Sequence, residues 1–328
     1  MLNFPEPPKG YSSVYLAETD KSLPQKIDPR TRYAFFSDIA KGGKSVIKSC
    51  KDLHLSRYVC YKTLKPEFIN DEVEQKRLIR EARVSAMLQH PNTVPTYELG
   101  RDARGAVYFT MKLVHGYTLR EVLDDRESYD LVQLMDVMLQ IANVLDYSHK
   151  HGVAHRDIKP ENILVGPFGE VVLLDWGLAK VWNQDGSAVP DLDADIEIEG
   201  DISMTGIGKA QGTAHYMSPE QIERNPDIDY RTDIFSFGAV LYEVLCGHTP
   251  TSGEKLHEVV ESVKNKVPVL PSQYAQQDTQ QYTEQRIPAL LEEIAMTCLQ
   301  KKPDDRYAAI EEVVKLLQQD WREDLRAR

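Results

Sequence analysis

Apolar residues along this 328-residue chain change their spacing near Gly116. Before it, short β-rich runs at Tyr33–Ile39, Ser45–Cys50 and Tyr58–Tyr61 predict strands, the first two joined by a hairpin turn at Lys41-Gly42-Gly43-Lys44. A charged stretch follows, Asp71–Gln89, with the spacing of a long helix. Asn70 or Asp71 stands as its N-cap, and His90-Pro91-Asn92 ends it. Two more strands are expected at Thr93–Leu99 and Ala106–Lys112. After Gly116 the period becomes helical: Leu131, Leu134, Met135, Met138, Ile141, Ala142 and Leu145 recur at three- and four-residue spacing, the stripe of a buried helix. Further apolar-rich helices are expected at Ile234–Cys246, Glu254–Asn265, Pro288–Cys298 and Ala308–Asp320. No internal repeat is visible.

Residues 1–32 hold Pro5, Pro7, Pro8, Pro24 and Pro29 with little periodicity, and read as an extended arm, either disordered or packed on the first lobe. A hydrophobic content of 41% with 27% charged residues is ordinary for a globular protein large enough to bury a sizeable core. The net charge of −12 argues against a nucleic-acid binder, which would carry a basic patch. Cys50, Cys60, Cys246 and Cys298 are scattered, as expected in a reducing compartment without a disulfide framework or zinc site. No apolar run approaches the length of about 18 residues that a membrane span needs, and the N-terminus lacks the basic-then-apolar order of a secretory signal. The expected location is therefore the cytoplasm.

The chemistry concentrates in His155-Arg156-Asp157-Ile158-Lys159-Pro160-Glu161-Asn162, followed thirteen residues after Asn162 by Asp175-Trp176-Gly177. Phosphoryl transfer needs a carboxylate to take the attacking hydroxyl's proton and cations to neutralise charge developing on the phosphate. Here the chain resembles a eukaryotic-type (Hanks-type) protein kinase of the serine/threonine branch, in which a lysine stands two residues after the loop aspartate. The wording of the motifs, Tyr216-Met217-Ser218-Pro219-Glu220-Gln221 above all, looks like that of bacterial members.

The resemblance covers roughly residues 33–318 and implies an α+β, two-lobed fold: a small β-rich N-lobe with one helix at 33–112, and a larger, mainly helical C-lobe at 113–320. The hinge falls near 112–116, with an extension at 1–32 and a tail at 321–328. It further implies an ATP- and Mg²⁺-dependent kinase (Mn²⁺ as an alternative metal) acting on Ser/Thr hydroxyls of protein substrates, with a homodimer allowed for trans-autophosphorylation. Asp157 is then the base, Lys159 neutralises the γ-phosphate, and Asn162 and Asp175 bind the metal, whose preference for oxygen they match.

Val59-Cys60-Tyr61-Lys62 matches the family's third strand, with Lys62 paired to Glu81 of Arg80-Glu81-Ala82 and directed at the α- and β-phosphates. Strand alternation puts Cys60 and Lys62 on one face and Val59 and Tyr61 on the other. Ile39 to Ile47 stands where the family has its glycine-rich loop. Gly42 is kept and Gly43 follows, but Ala40 and Ser45 occupy the first and third glycine positions, and Ile47 replaces the valine that covers the adenine. Cys60, Met111 and Leu113 complete the implied nucleotide contacts. Trp176 replaces the usual phenylalanine.

Gly212-Thr213-Ala214-His215-Tyr216-Met217-Ser218-Pro219-Glu220 resembles the end of an activation segment. Thr213 is then the threonine that contacts Asp157 and Lys159, Glu220 pairs with Arg306, and Asp233 braces the catalytic loop. Arg156 is expected to recruit a phosphorylated residue, Thr205 first and Ser203 second. Seven acids lie from Asp185 to Asp201, with no Lys or Arg between Lys180 and Lys209. Such a tract is expected to be mobile and solvated, or else to screen basic substrates or cover the site until a phosphate orders it. Two rivals stand beside the kinase: a pseudokinase scaffold, supported by the altered glycine loop, and a small-molecule phosphotransferase.

Overall fold

Strand β1 (Tyr33–Lys41) turns at Gly42–Lys44 into β2 (Ser45–Asp52), which pairs in turn with β3 (Arg57–Leu64). The computed structural model describes Thr19, Ser22 and residues 31–182, 212–277, 287–319, 321 and 322. They separate into two compact units, one within residues 4–89 together with 93–116, the other of residues 90–92 with the described part of 117–328.

In the first unit β4 (Thr96–Arg101) and β5 (Val107–Lys112) complete an antiparallel sheet of order β1-β2-β3-β5-β4. Helix α1 (Glu72–Met87) begins at Asp71, whose carboxylate accepts from the backbone N–H of Val73 at 2.9 Å and of Glu74 at 3.1 Å. This settles the N-cap on Asp71 rather than Asn70, since a carboxylate at that position satisfies two otherwise unpaired donors. The helix stops at Met87, short of Gln89, and Thr93 Oγ1 donates to the Leu88 carbonyl. Strand β4 begins only at Thr96, although the Pro95 carbonyl already accepts from the Lys112 N–H at 3.0 Å. Leu78 and Ala82 of α1 bury against Leu64, Val107 and Phe109. On the sheet's other face Val59 and Tyr61 pack with Cys50 and Tyr108, as the alternation requires.

In the second unit the predicted stripe is α3 (Leu131–Lys150), capped by an Asp130–Gln133 capping box. Helix α5 (Arg231–Cys246) is buried at every position from Thr232 to Cys246, so it forms the centre of this unit. Helix α8 (Ala289–Cys298) packs on α5 and α9 (Ile310–Leu317) on α3. At Gly238 of α5 an added Cβ would lie 2.4 Å from the Cβ of Cys298, so only glycine allows this approach. Helix α6 (Leu256–Asn265) is two residues shorter than its sequence pattern, and α9 ends three residues before Asp320.

Three short helices were not foreseen: α2 (Leu119–Asp124), α4 (Pro219–Ile222) and α7 (Pro271–Gln277). Nor were the small strands β6 (Tyr117–Thr118), β7 (Val153–Ala154), β8 (Ile163–Val165), β9 (Val171–Leu173) and β10 (Lys180–Val181). Two or three residues are too few to express a period. Their pairings, β6-β8-β9 and β10-β7, frame the residues between Val153 and Val181. Among the described residues no helix is long and apolar enough to cross a membrane.

Candidate active site

In the first unit, β3 and α1 bring Lys62 and Glu81 together. Lys62 Nζ donates to Glu81 Oε1 at 2.6 Å, with both side chains only 8% exposed. Taking two charges out of water is costly, and a single unpaired one costs more, so each holds the other in place. Cys60 pairs in register with Met111 of β5, and Ile47 with Lys62. Cys60, Met111, Lys62 and Ile47 therefore occupy neighbouring strands, with Leu113 just beyond the end of β5. Burial pushes the Cys60 thiol up to about 12, so it stays an uncharged small apolar side chain. Ile39 and Ala40 lie exposed near the end of β1, and Ala40 pairs with Ile47. The turn itself is closed by the Gly42 N–H on the Ser45 carbonyl at 2.9 Å.

In the second unit the loop between β7 and β8 carries the carboxylate chemistry. Lys159 Nζ donates to both Asp157 oxygens, at 2.8 and 2.9 Å, and reaches Thr213 Oγ1 at 3.4 Å. The Asn162 amide nitrogen donates to Asp157 Oδ2 and to the Asp157 carbonyl, both at 2.8 Å. Burial opposes the charge on Lys159, but Asp157, Asp175 and Glu161 together raise its pKa, so it is a fixed cation. The amide nitrogen of Asn162 is thereby committed to Asp157, which turns its carbonyl oxygen the other way. The Leu174 N–H donates to the Asn162 carbonyl at 2.8 Å, bringing the start of the Asp175-Trp176-Gly177 turn beside Asn162.

Asp175 is exposed and has a left-handed backbone, φ 61°, with its carboxylate accepting from Gly177 N–H at 3.3 Å. A non-glycine residue there is strained, and such strain is characteristic of functional turns. Arg156 shares the feature at φ 65°. Trp176 is 1% exposed and meets the His155 ring edge-on at 4.6 Å between centroids.

What holds this loop is Asp233 of α5, which is fully buried. Its oxygens accept from the backbone N–H of His155 at 2.7 Å and of Arg156 at 2.8 Å, and contact His149 Nε2 at 2.8 Å. Burial pushes this acid upward. The His149 hydrogen bond, the nearby histidines and the Arg156 N–H more than offset that and hold it below the ordinary carboxylate range. His155 completes the frame: Nδ1 accepts from the Asp157 N–H at 3.2 Å and Nε2 meets the Leu174 carbonyl at 2.9 Å. Arg156 Nε donates to the Leu178 carbonyl at 2.6 Å, and Gln221 Nε2 donates to the Arg156 carbonyl at 2.7 Å.

Glu220 takes two bonds from the Arg306 guanidinium, at 2.6 and 2.8 Å, the bidentate geometry that fixes direction as well as distance. Arg306 also donates to the carbonyls of Gln300, Lys301 and Arg231. Thr205, Ser203 and the acidic tract from Asp185 to Asp201 lie outside the described residues.

Sequence reasoning missed His149 and Gln221 as supports of the loop. A histidine at the end of a helix reads first as a charge placed against the helix dipole. Its one distinguishing signal was its place six residues before His155, ahead of the chemistry-bearing run. The residues present can hold a divalent cation: Asp175 and Asn162 offer one carboxylate and one amide oxygen. Among the described residues no three His, Cys, Asp or Glu side chains form a metal cage. Such a sparse oxygen set suits Mg²⁺, which keeps waters and is held jointly with substrate phosphates.

Residues 33–321 match the family model described as protein kinase domain. The chain is 32% identical over 283 residues to a probable serine/threonine-protein kinase of Clostridium acetobutylicum, covering 86% of this chain and 39% of that protein. It is 32% identical over 295 residues to the serine/threonine-protein kinase PknD of Chlamydia felis, covering 86% of this chain and 30% of the relative. A probable serine/threonine-protein kinase of Corynebacterium efficiens is 31% identical over 285 residues, with 86% and 40% covered. The chain thus spans well under half the length of these relatives.

Proposed function

The chain belongs to the protein kinase family, and from that premise we propose that it transfers the γ-phosphate of Mg²⁺–ATP to Ser/Thr hydroxyls of proteins. The observation that carries this reading is the Asp157 carboxylate held by Lys159 and Asn162 together, in a loop braced by a buried aspartate. Asp157 accepts the proton of the acceptor hydroxyl and orients that oxygen for in-line attack. Lys159, kept cationic by its acidic neighbours, neutralises charge on the transferring phosphoryl group. Thr213, bonded to Lys159, sets the position of the acceptor side chain. Lys62, oriented by Glu81, binds the α- and β-phosphates. Ile39, Ala40, Gly42, Gly43, Ser45, Ile47, Cys60, Met111 and Leu113 form the remaining nucleotide contacts.

Asn162 and Asp175 would hold the metal, Mg²⁺ or Mn²⁺, which would neutralise charge on the phosphates. Phosphorylation of Thr205, or of Ser203, by trans-autophosphorylation in a transient homodimer would supply an anion for Arg156.

Radiolabel transfer from ATP to a generic basic protein and to the chain itself, with Asp157→Asn as control, tests the reading. Transfer by the wild type alone is expected. Label-free products from both, with intact nucleotide binding, would favour the scaffold reading that the altered glycine loop suggests.

A further inference from the structure

The turn that replaces the glycine-rich loop is fastened to helix α1 by a side chain that the proposed reaction does not use. Lys44 Nζ donates to Glu74 Oε1 at 2.8 Å, and Arg77 donates to the same oxygen at 2.6 Å. Glu74 is 9% exposed and Lys44 29%, so the pair sits partly out of water, unlike the surface pairs that contribute little. The backbone of the turn is held from the other side. Lys65 Nζ donates to the Gly43 carbonyl at 2.6 Å, and the Lys65 N–H to the Lys44 carbonyl at 2.9 Å.

Glu74 and Glu81 are seven residues apart, two helical turns, and so lie on one face of α1. Both are buried and both take a lysine from the sheet: Glu74 from the β1–β2 turn, Glu81 from β3. Glycines at the positions of Ala40 and Ser45 would let the turn move freely. Here the β1–β2 ladder runs on to the Lys41–Val46 pair, and the turn is a closed hairpin.

We propose that Lys44, acting through Glu74, is a positioning residue for nucleotide binding. It fixes the phosphate-facing turn to the helix that carries Glu81, so that the turn and the Lys62–Glu81 pair keep one common geometry. The inference rests on the kinase reading above. A purely structural pair would alter stability alone. A positioning pair alters KM for ATP, because a looser turn binds the nucleotide less well in ground state and transition state alike. Lys44 bonds to Glu74 and acts through it, so kcat at saturating ATP is expected to be preserved.

The test is steady-state kinetics on a basic protein substrate with the full chain carrying Lys44→Met, Glu74→Gln, Lys44→Glu, or Lys44→Glu with Glu74→Lys. Amide exchange of residues 40–46 without nucleotide is measured alongside. Arg77 still pairs Glu74 in Lys44→Met, so that variant leaves no buried acid without a partner. Lys44→Met and Glu74→Gln are each expected to raise KM for ATP by about 3- to 10-fold with kcat within about twofold, the scale of a partly buried pair. Exchange in the turn quickens in both, and the charge swap recovers most of the loss seen in Lys44→Glu. An effect of Lys44→Met without one of Glu74→Gln would mean that Lys44 meets the phosphates itself, and would overturn the proposal. So would unchanged KM and exchange in every variant, or a swap as impaired as Lys44→Glu. A wild type that neither binds nor consumes ATP would be recognised separately, because it would remove the kinase reading, and this inference with it.

Discussion

Removing the acceptor at Asp233 should loosen the catalytic loop from a position no substrate touches. Its two oxygens serve three donors in the dry centre of the second unit: the N–H groups of His155 and Arg156, and His149. A buried N–H left without an acceptor costs about 1–3 kcal/mol. Asp233→Ala orphans all three, and the two backbone N–H groups alone account for about 2–6 kcal/mol, a large share of the roughly 5–15 kcal/mol that holds a domain. Asp233→Asn is the gentler probe. Its oxygen still serves one backbone donor while its NH₂ faces the other, so about 2 kcal/mol is expected.

Urea unfolding followed by tryptophan fluorescence should show a lower midpoint with an unchanged slope. The folded-state pKa of Asp233 is depressed, so its contribution is complete above the unfolded value near 3.8 and fades as pH falls through the lower folded value. The gap between wild type and Asp233→Asn should therefore be constant near neutrality and narrow only below about pH 4. Phosphate transfer should fall as well, because the tethered N–H groups lie one and two residues before Asp157. A difference under about 0.5 kcal/mol at pH 7, the level of ordinary surface substitutions, would refute the bracing role.

Four further outcomes are expected. Asp157→Ala should lower transfer by about 10²- to 10⁴-fold in initial-rate assays, the usual loss for a general base, with ATP affinity retained. Asp175→Ala should also weaken Mg²⁺–ATP binding in calorimetry, because it removes a metal ligand. Glu81→Gln leaves the Lys62 ammonium buried beside a neutral amide, and should lower stability by about 3 kcal/mol in denaturant melts and abolish most activity. At about 1 mM Mg²⁺–ATP, a site with Kd of about 10 µM should gain about 2.7 kcal/mol in a ligand-dependent thermal shift, and a flat response at that concentration would refute a working nucleotide site.

The chemistry was legible in the sequence because it is written in neighbouring residues. Asp157, Lys159 and Asn162 span one loop, and a side chain's reach suffices to join them once that loop closes. The strands of the first unit and the long buried helices were legible too, since burial on one face imposes a period of two or of about 3.6 residues. The pairing of Lys62 with Glu81 and of Glu220 with Arg306 followed only from the family resemblance, and the structure supplies the distances.

Other features needed the folded chain. His149 and Asp233 lie 84 residues apart, and neither flanking sequence shows that burial in the first turn of α5 leaves that carboxylate facing the ends of α3 and β7. The left-handed backbone of Arg156, which local preference opposes, stands where its N–H is bonded to Asp233. The Lys44–Glu74 link was equally hidden, because a lysine in a turn and a glutamate on a charged helix both read as solvated. A sequence pattern reports which face of an element turns inward. Which buried polar group meets which is decided when the elements pack, because only then does an unmet donor or acceptor become costly.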